Sequence, residues 1–458
     1  MKPTNWILAF GLLLASVQAF GQAKEITLEE AVRHATEHSP ELQMFEYDIE
    51  KAKDAKAGAI GQLLPRLTLD ANIQFWDKRT DVEFIDPASL PGPDDLGDFG
   101  ALIPQSFFDK FTDLAKPQTV QERITGAVNI QAVMPLTPLY SLAHLYRLQG
   151  ASVEAAKFER LAKRDEVVYQ TTDLFLKLMS AIRMLDVTSL AIEQVEAHLK
   201  MAKSFQQAGF VGLDDVLRAE AALAKIKDQH AQVESGVAMA RAALNVKMGM
   251  PIDDDIVPVG DFPDPPAPLM VTETELVEKA LNSRPERLAV EHKVKMASAG
   301  KQAAIGALIP TIAAVFRYTH FQGSKFQREN SAFVGAVLQW DFWNWGATWF
   351  RMKEVSRDHE KALKGLELAR DGIMLDVRKA WLDLKQASLS IEALRSQIEF
   401  AQENLRVVTK KYEASTATSV EVLDAQSTLT QAKAGYQVAL LNYYIAFANL
   451  QRATAGSI

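Results

Sequence analysis

Two hydrophobic periods alternate along this chain. Ile391, Leu394, Ile398, Ala401, Leu405, Val408 and Tyr412 follow an alternating three-four spacing, and so do Val422, Ala425, Leu429, Ala432, Tyr436, Ala439, Tyr443, Ala446 and Leu450. That spacing lays one apolar stripe along a helix and predicts a coiled-coil seam. The same register runs 206 residues earlier, from Leu185 to Gln206 and from Val216 to Leu244. Short turns at Ala208 to Gly212 and Ala414 to Thr418 separate the members of each pair, so two antiparallel helical hairpins are expected. Elsewhere the period falls to two. Leu67, Leu69, Ala71, Ile73 and Phe75 alternate with polar residues after Pro65, and Ile312, Ala314, Phe316 and Tyr318 follow Pro310. Val128, Ile130, Ala132, Met134 and Leu136 share one parity, as do Val334, Ala336, Leu338, Trp340 and Phe342. These four segments have the alternation and approximate length of membrane β-strands, about 10 residues each.

The chain is a duplication. Ile26 to Phe75 can be laid on Val271 to His320 at a shift of 245, best at Ala59-Ile60-Gly61-Gln62-Leu63-Leu64-Pro65 against Ala304-Ile305-Gly306-Ala307-Leu308-Ile309-Pro310. Asp215-Val216-Leu217-Arg218-Ala219-Glu220 falls on Glu421-Val422-Leu423-Asp424-Ala425-Gln426 at 206. The difference of 39 is one insertion in the first half, between Trp76 and Arg123. The expected division is a first repeat over 24–248, a Pro/Asp-rich linker over 249–271 and a second repeat over 272–458, with the insertion at 76–123 as a long extracellular loop. Each half is a helix, two strands, a long helix and its return.

Element lengths constrain the assembly. Pro138 to Gln207 reads as one helix of roughly 105 Å at 1.5 Å per residue, returned by Asp214 to Met248 and by Thr274 to Ile309. Asn344 to Tyr412 is returned by Ser419 to Thr454 and by Leu28 to Leu64. Four strands cannot close a barrel, whose small end is about eight. An open edge in lipid would leave backbone groups unpaired, so several chains must share one barrel. These arguments leave two copies and three both open.

Targeting and composition narrow the setting. Lys2, the apolar run Trp6 to Val17 and the small-residue triplets Val17-Gln18-Ala19 and Gly21-Gln22-Ala23 predict an export signal over residues 1–23. No later stretch is apolar for the 18 residues that a helical anchor needs, so any membrane passage is by strands. The chain has no cysteine, which excludes disulfides, thiolate metal sites, cysteine nucleophiles and a lipidated cysteine. Its formal charge of −8, one unit more negative without Lys2, comes with no basic cluster and argues against nucleic acid.

Thr27-Leu28-Glu29-Glu30-Ala31-Val32, Ser39-Pro40-Glu41-Leu42, the Leu63-Leu64-Pro65 helix end, the tip Gly209 to Ala219 and its copy Ser419-Val420-Glu421-Val422-Leu423-Asp424-Ala425-Gln426 resemble the TolC-like outer-membrane efflux proteins. The resemblance runs from about Glu25 to Thr454. It implies a mainly α protein with a membrane β-barrel: a homotrimer with a twelve-stranded barrel, a coiled-coil periplasmic tunnel and a gate at the hairpin tips. It also implies partners, namely a periplasmic adaptor and an inner-membrane pump or an ABC exporter of type I secretion, and a place in the bacterial outer membrane reaching into the periplasm. In the family's archetype a tyrosine, an arginine and acidic residues hold the tip closed. Tyr412 and Asp215 fall on two of those positions, Glu421 and Asp424 on the pore-lining acidic pair, and Ala417 stands where the arginine would be.

Glu421 and Asp424, three apart, point to one side of a helix, and as the first turn after an N-cap at Ser419 they also suit the helix dipole. Trp340, Trp343, Trp345 and Trp349 lie where the fourth strand meets the long helix and are expected as a membrane-interface girdle. His34 and His38 with Glu30, Glu37 and Glu41 have metal-compatible spacing but read as a solvated helix face. No hydrolase, metalloprotease or phosphate-loop motif is present, so neither enzyme activity nor a cofactor is expected. The rival reading is a soluble periplasmic coiled-coil adaptor or scaffold, which would carry the hairpin once rather than twice.

Overall fold

The computed structural model describes residues 24–86, 89–260, 262 and 271–456. The export signal expected over 1–23 and most of the 261–270 part of the linker lie outside the described residues. The chain forms two compact units, one from 24–52, 153–294 and 362–456, the other from 53–152 and 295–361.

The first unit holds two helix sets built alike. One combines α1 (Leu28–His38), α4 (Leu139–Gln207, from residue 153 onward) and α5 (Leu213–Met248). The other combines α6 (Glu273–Ser283), α8 (Ala347–Glu413, from residue 362 onward) and α9 (Ser419–Ala453). The apolar stripes meet as the three-four spacing requires. Ala31, Phe175, Leu178, Val237 and Leu244 are buried together in the first set, and Leu276, Val377, Leu384, Tyr443 and Leu450 in the second. A two-stranded parallel ribbon closes the first core, in which β1 (Lys24–Ile26) pairs with β5 (Ile256–Pro258) and contributes Ile26 and Ile256. Thr27 with Glu30, and Thr272 with Glu275, form capping boxes at the starts of α1 and α6.

The single helices expected over Leu28–Leu64 and Thr274–Ile309 are each two. Helix α2 (Pro40–Gly61) and helix α7 (Pro285–Gly306) begin at prolines, and the residues before them are extended, Ser39 at φ −61°, ψ 122° and Arg284 at φ −66°, ψ 127°. A proline ring clashes with a helical residue ahead of it, and this overrides the continuous apolar pattern.

Each break is tied to its long helix by a polar cluster. In the first half Lys247 reaches Glu41 at 2.9 Å and also donates to Gln170, while Lys163 binds the other Glu41 oxygen at 2.6 Å. The hydrogen bonds from Lys163 and then Lys247 hold the Glu41 carboxyl below its usual range. In the second half Asp376 stands at the repeat position of Gln170, and Arg284 stands at that of Ser39. Arg284 binds Glu286 and Asp376, each at 2.8 Å, and Arg452 binds Asp376 at 3.0 Å. Burial opposes the Arg284 charge, but these acceptors outweigh it and raise its pKa.

The second unit is built on an antiparallel sheet of order β2 (Arg66–Phe75), β4 (Gln118–Pro135), β6 (Thr311–Ser324), β7 (Asn330–Gln339). Its register sorts the two faces. Leu69 pairs with Ile130, which pairs with Tyr318, which pairs with Ala332; one residue away Asp70, Asn129, Thr319 and Ser331 form a polar row. Thr319 donates to Asn129 at 2.8 Å and Arg317 to Gln131 at 2.8 Å on that polar face. On the apolar face Leu67, Leu69, Ile73, Phe75, Val334 and Leu338 are exposed. The outer edges of β2 and β7 have no strand partner among the described residues. No described helix is long and apolar enough to cross a membrane.

The insertion, expected as a loop, contains regular elements. After β2 come β3 (Thr80–Val82), a 3-10 segment (Pro93–Leu102) and α3 (Gln105–Ala115), with Phe108, Ala115 and Val120 buried beneath.

The two polar clusters differ in how much charge they bury, which separates their mutants. Replacing Asp376 by Ala removes a carboxylate shared by two arginines, one of them Arg284 with a side chain only 6% exposed. Because Glu286 remains, we expect a loss of about 3 kcal/mol, at the low end for broken buried pairs. Gln170→Ala removes a neutral partner and should cost about 1 kcal/mol. Thermal unfolding of the helical signal in detergent measures both; equal losses would mean that the arginines are solvated.

Candidate functional site at the helical tips

The site is built where the two hairpins of the first unit turn. Helix α4 ends at Gln207 and its chain reverses through Gly209, at φ 80°. Helix α8 ends at Glu413 and reverses through Ser415, at φ 57°. Both residues hold the left-handed conformation at matching repeat positions, but serine carries a Cβ there and glycine does not.

The second reversal leads into a capping box. The N-cap of α9 is Thr418, not the expected Ser419: its backbone N–H and hydroxyl donate to the Glu421 carboxylate at 3.3 and 3.1 Å, and Glu421 N–H donates back at 3.4 Å. A capping box needs a Ser or Thr three residues before a Glu or Gln, and only Thr418 stands in that relation to Glu421. Ser419 is instead fully buried, with its hydroxyl 2.8 Å from His198 Nε2.

Around that bond lies an aromatic cluster. The His198 and Tyr412 rings are 5.0 Å apart, Phe205 stacks on Tyr412 at 5.6 Å, and Phe210 meets Phe205 edge-on at 6.2 Å. Tyr412 is 2% exposed and its hydroxyl has no hydrogen-bond partner among the described residues. Burial, and secondarily the charge of Asp215, raises its pKa. Asp215 is itself raised by burial and by neighbouring Asp214, against the pull of Arg218. Burial lowers the His198 pKa, so its imidazole is held neutral. Beside the cluster a cavity of about 190 Å³ is lined by Val195, His198, Met201, Leu405, Val422 and Gln426.

The four residues singled out from sequence divide into two kinds. Tyr412 and Asp215 belong to the packed tip, while Glu421 and Asp424 are exposed. His198 and Phe205 were missed, and Ser419 was expected only as a helix cap. The signal that could have found them is departure from the repeat: at a shift of 206 they face Asn404, Lys411 and Leu213, while neighbouring tip positions such as Val216 and Val422 still match.

Trp340, Trp343 and Trp345 lie in the second unit, between the end of β7 and the start of α8, and all three are exposed. Trp343 and Trp345 meet edge-on at 5.6 Å, and Lys353 sits 5.3 Å above Trp349. His34 and His38 stack at 4.4 Å and His34 bonds to the Met248 carbonyl oxygen at 3.0 Å. No cluster of metal-ligating residues exists among the described residues.

A duplicated coiled-coil hairpin, together with an open sheet that is apolar on one face and polar on the other, defines the class: the protomer of a conduit whose strands meet lipid. Residues 276–456 match the family profile "Outer membrane efflux protein". The outer membrane efflux protein BepC of Brucella suis is 22% identical over 69% of this chain and 68% of its own. The outer membrane protein TolC of Escherichia coli is 22% identical over 97% of this chain and 84% of its own. The outer membrane protein VceC of Vibrio cholerae superposes with a TM-score of 0.74 at 13% identity, covering 94% of this chain and 96% of that one. The chain is thus similar to the TolC-like outer-membrane efflux proteins over nearly its whole length.

The neutral, buried His198 gives the tip a pH dependence of fixed sign. Its folded pKa lies below the unfolded value of about 6.5, so the unfolded chain binds more protons there and the stabilisation falls as pH drops through that value. Protection of amides 413–423, taken relative to the intrinsic exchange rate at each pH, should therefore fall below about pH 6.5, and His198→Asn should flatten the profile. Unchanged dependence in that variant would overturn the assignment to His198, since Asp215, with its pKa raised, contributes with the opposite sign.

Proposed function

We propose that this protein is the outer-membrane exit duct of a tripartite efflux or type I secretion system, a passive trimeric conduit that reaches into the periplasm and opens at its helical tips. The observation that carries this reading is the sheet. Its register puts an apolar belt on one face and a polar row on the other while leaving both edges open, and lipid tolerates that only if copies pair edge to edge and close a water-filled barrel. Three copies give twelve strands, within the range of closed barrels.

A helical surface supports the same assembly. Leu368, Leu375, Leu382 and Leu389 recur every seven residues along α8 and are all exposed. They occupy the side away from the seam of Ile373, Val377, Ala380 and Leu384, which packs on α9. An unpartnered leucine stripe at heptad spacing suits a helix of a neighbouring copy. The partners are then a periplasmic adaptor and an inner-membrane pump or ABC exporter. Duplication of the hairpin and the outer-membrane relatives disfavour the soluble adaptor or scaffold, and the role requires no enzyme chemistry and no cofactor.

Within this reading Glu421 and Asp424 form two carboxylate rings at the periplasmic entrance, and Asp215 and Tyr412 belong to the packing that holds the tips together. Converging carboxylates in a confined pore attract cations and repel anions. Trp340, Trp343 and Trp345 mark the membrane interface below the barrel strands.

Planar-bilayer recording of the purified particle tests the function. The wild type should conduct with cation preference, and Glu421→Ala/Asp424→Ala should lose that preference and its sensitivity to multivalent cations; a particle that forms no channel would sink the reading. The face assignment is checked separately. Ile130→Arg or Leu338→Arg puts a charge in the lipid belt at a cost of roughly 2 to 4 kcal/mol and should impair assembly, whereas Asn72→Arg and Gln74→Arg should be tolerated. Equal damage in both sets would reverse inside and outside.

A further inference from the structure

Near the tips the two hairpins of the first unit are joined by hydrogen bonds that cross from α4 to α9. His198 Nε2 lies 2.8 Å from the Ser419 hydroxyl, and two turns further along α9 the Gln426 amide donates to the Gln194 side-chain oxygen. Both contacts border the cavity of about 190 Å³, since His198, Gln194 and Gln426 all line it. Its apolar walls are Val195 and Met201 of α4, Leu405 of α8, and Val422 and Leu423 of α9. With walls from three helices, it belongs to neither hairpin alone.

Packed interiors leave few voids larger than a water molecule, and this one has a defined chemistry. No Asp, Glu, Lys or Arg lines it. Burial keeps the His198 imidazole neutral. The Thr409 hydroxyl belongs to the lining and has no hydrogen-bond partner among the described residues. Ala197 of α4 is exposed and also contributes to the lining, so the cavity reaches the surface there.

These features select an occupant. The space exceeds the roughly 150 Å³ of an engineered apolar cavity that takes up benzene. A charge placed among these walls would be left unpaired, which favours a neutral molecule. A rigid ring gives up little conformational freedom on capture, and a methionine thioether makes favourable contacts with aromatic rings. One hydroxyl on that ring supplies a partner for Thr409.

We propose that this cavity is a binding site for a small neutral aromatic molecule of the phenol class, and that its occupant clamps the α4–α5 hairpin to the α8–α9 hairpin. Walls from both hairpins would lose contact with the ligand if the helices parted, so binding favours the closed tip over any separated state. The inference concerns one chain's own helices and goes beyond the conduit reading, which it does not require.

The test titrates para-fluorophenol into the purified full-length protein in detergent, at neutral pH where the probe is uncharged, and follows it by fluorine NMR. Ala197→Phe puts a ring at the exposed mouth of the cavity. Thr409→Val removes the hydroxyl with little change of volume. Leu190→Phe, at an exposed α4 position outside the lining, is the control. Expected is saturation at one molecule per chain, with affinity lowered about tenfold or more by Ala197→Phe, lowered less by Thr409→Val and unchanged by Leu190→Phe. Saturating probe should also raise the protection of amides 419–426 in the wild type and not in Ala197→Phe. Uptake that never saturates and is equal in all four proteins is partition into detergent and overturns the site. Saturable binding that Ala197→Phe leaves intact overturns its placement in this cavity, and binding without added protection overturns the clamp.

Discussion

Backbone hydrogen bonding at the two edges of the sheet sets the terms for everything else in this molecule. Strands β2 and β7 each satisfy one side of their peptide groups within the chain, and the other side is open among the described residues. In water such an edge is a hazard, and in hydrocarbon each unpaired group costs several kcal/mol. A chain with an apolar face on that sheet therefore cannot be a finished object on its own. Copies must supply the missing partners, and once they do, the polar row of Asp70, Asn129, Thr319 and Ser331 faces a closed, wet interior.

Duplication provides the remaining parts and shows where the halves were free to diverge. Both repeats break a helix at an X-Pro step and anchor the break with an acid two residues after the extended position, Glu41 or Glu286. The counter-charge differs. The first half uses lysines at a partly exposed carboxylate, the second a buried arginine sharing Asp376 with Arg452. Arginine's fork serves two carboxylates at fixed angles where an ammonium cannot, so the second cluster is the stiffer of the two. The tips diverge likewise: Gly209 turns the first hairpin without strain, while Ser415 accepts a left-handed backbone in the second.

Much of this was legible in the sequence because it rests on periodicity. The seam positions from Val422 to Leu450 are buried nearly as written, and the strand parity of Leu67 to Phe75 matches the observed register. What escaped depended on local or long-range chemistry that periodicity does not encode. The breaks at Ser39 and Arg284 lie inside continuous apolar patterns and are decided by a proline ring. The N-cap moved from Ser419 to Thr418 because the capping partner three residues on is Glu421. The His198–Ser419 bond joins residues 221 positions apart, and no spacing rule reaches that far. The leucine heptad on α8 was in plain view, but it faces away from the chain's own core and has meaning only once a second copy is considered.

The geometry at Glu421 bears on whether a residue can be both a helix cap and part of an ion filter. Its carboxylate accepts from the Thr418 backbone and hydroxyl, which explains an acidic residue there without any pore. Accepting those hydrogen bonds does not discharge it, since hydrogen bonds to the ionised form favour that form. A capped carboxylate is also held in one place, whereas a free side chain on a helix surface samples several rotamers. A filter needs fixed charge at a fixed radius. The cap would thus suit Glu421 to the filter role proposed for it and for Asp424, one turn further along the same exposed face. In the packed tip behind them, Ser419 ties the first turn of α9 to His198 on α4, so any movement that separates these helices must carry the Glu421 carboxylate with it. On the proposed reading, charge at the entrance and the opening of the tip would be coupled through a single helical turn.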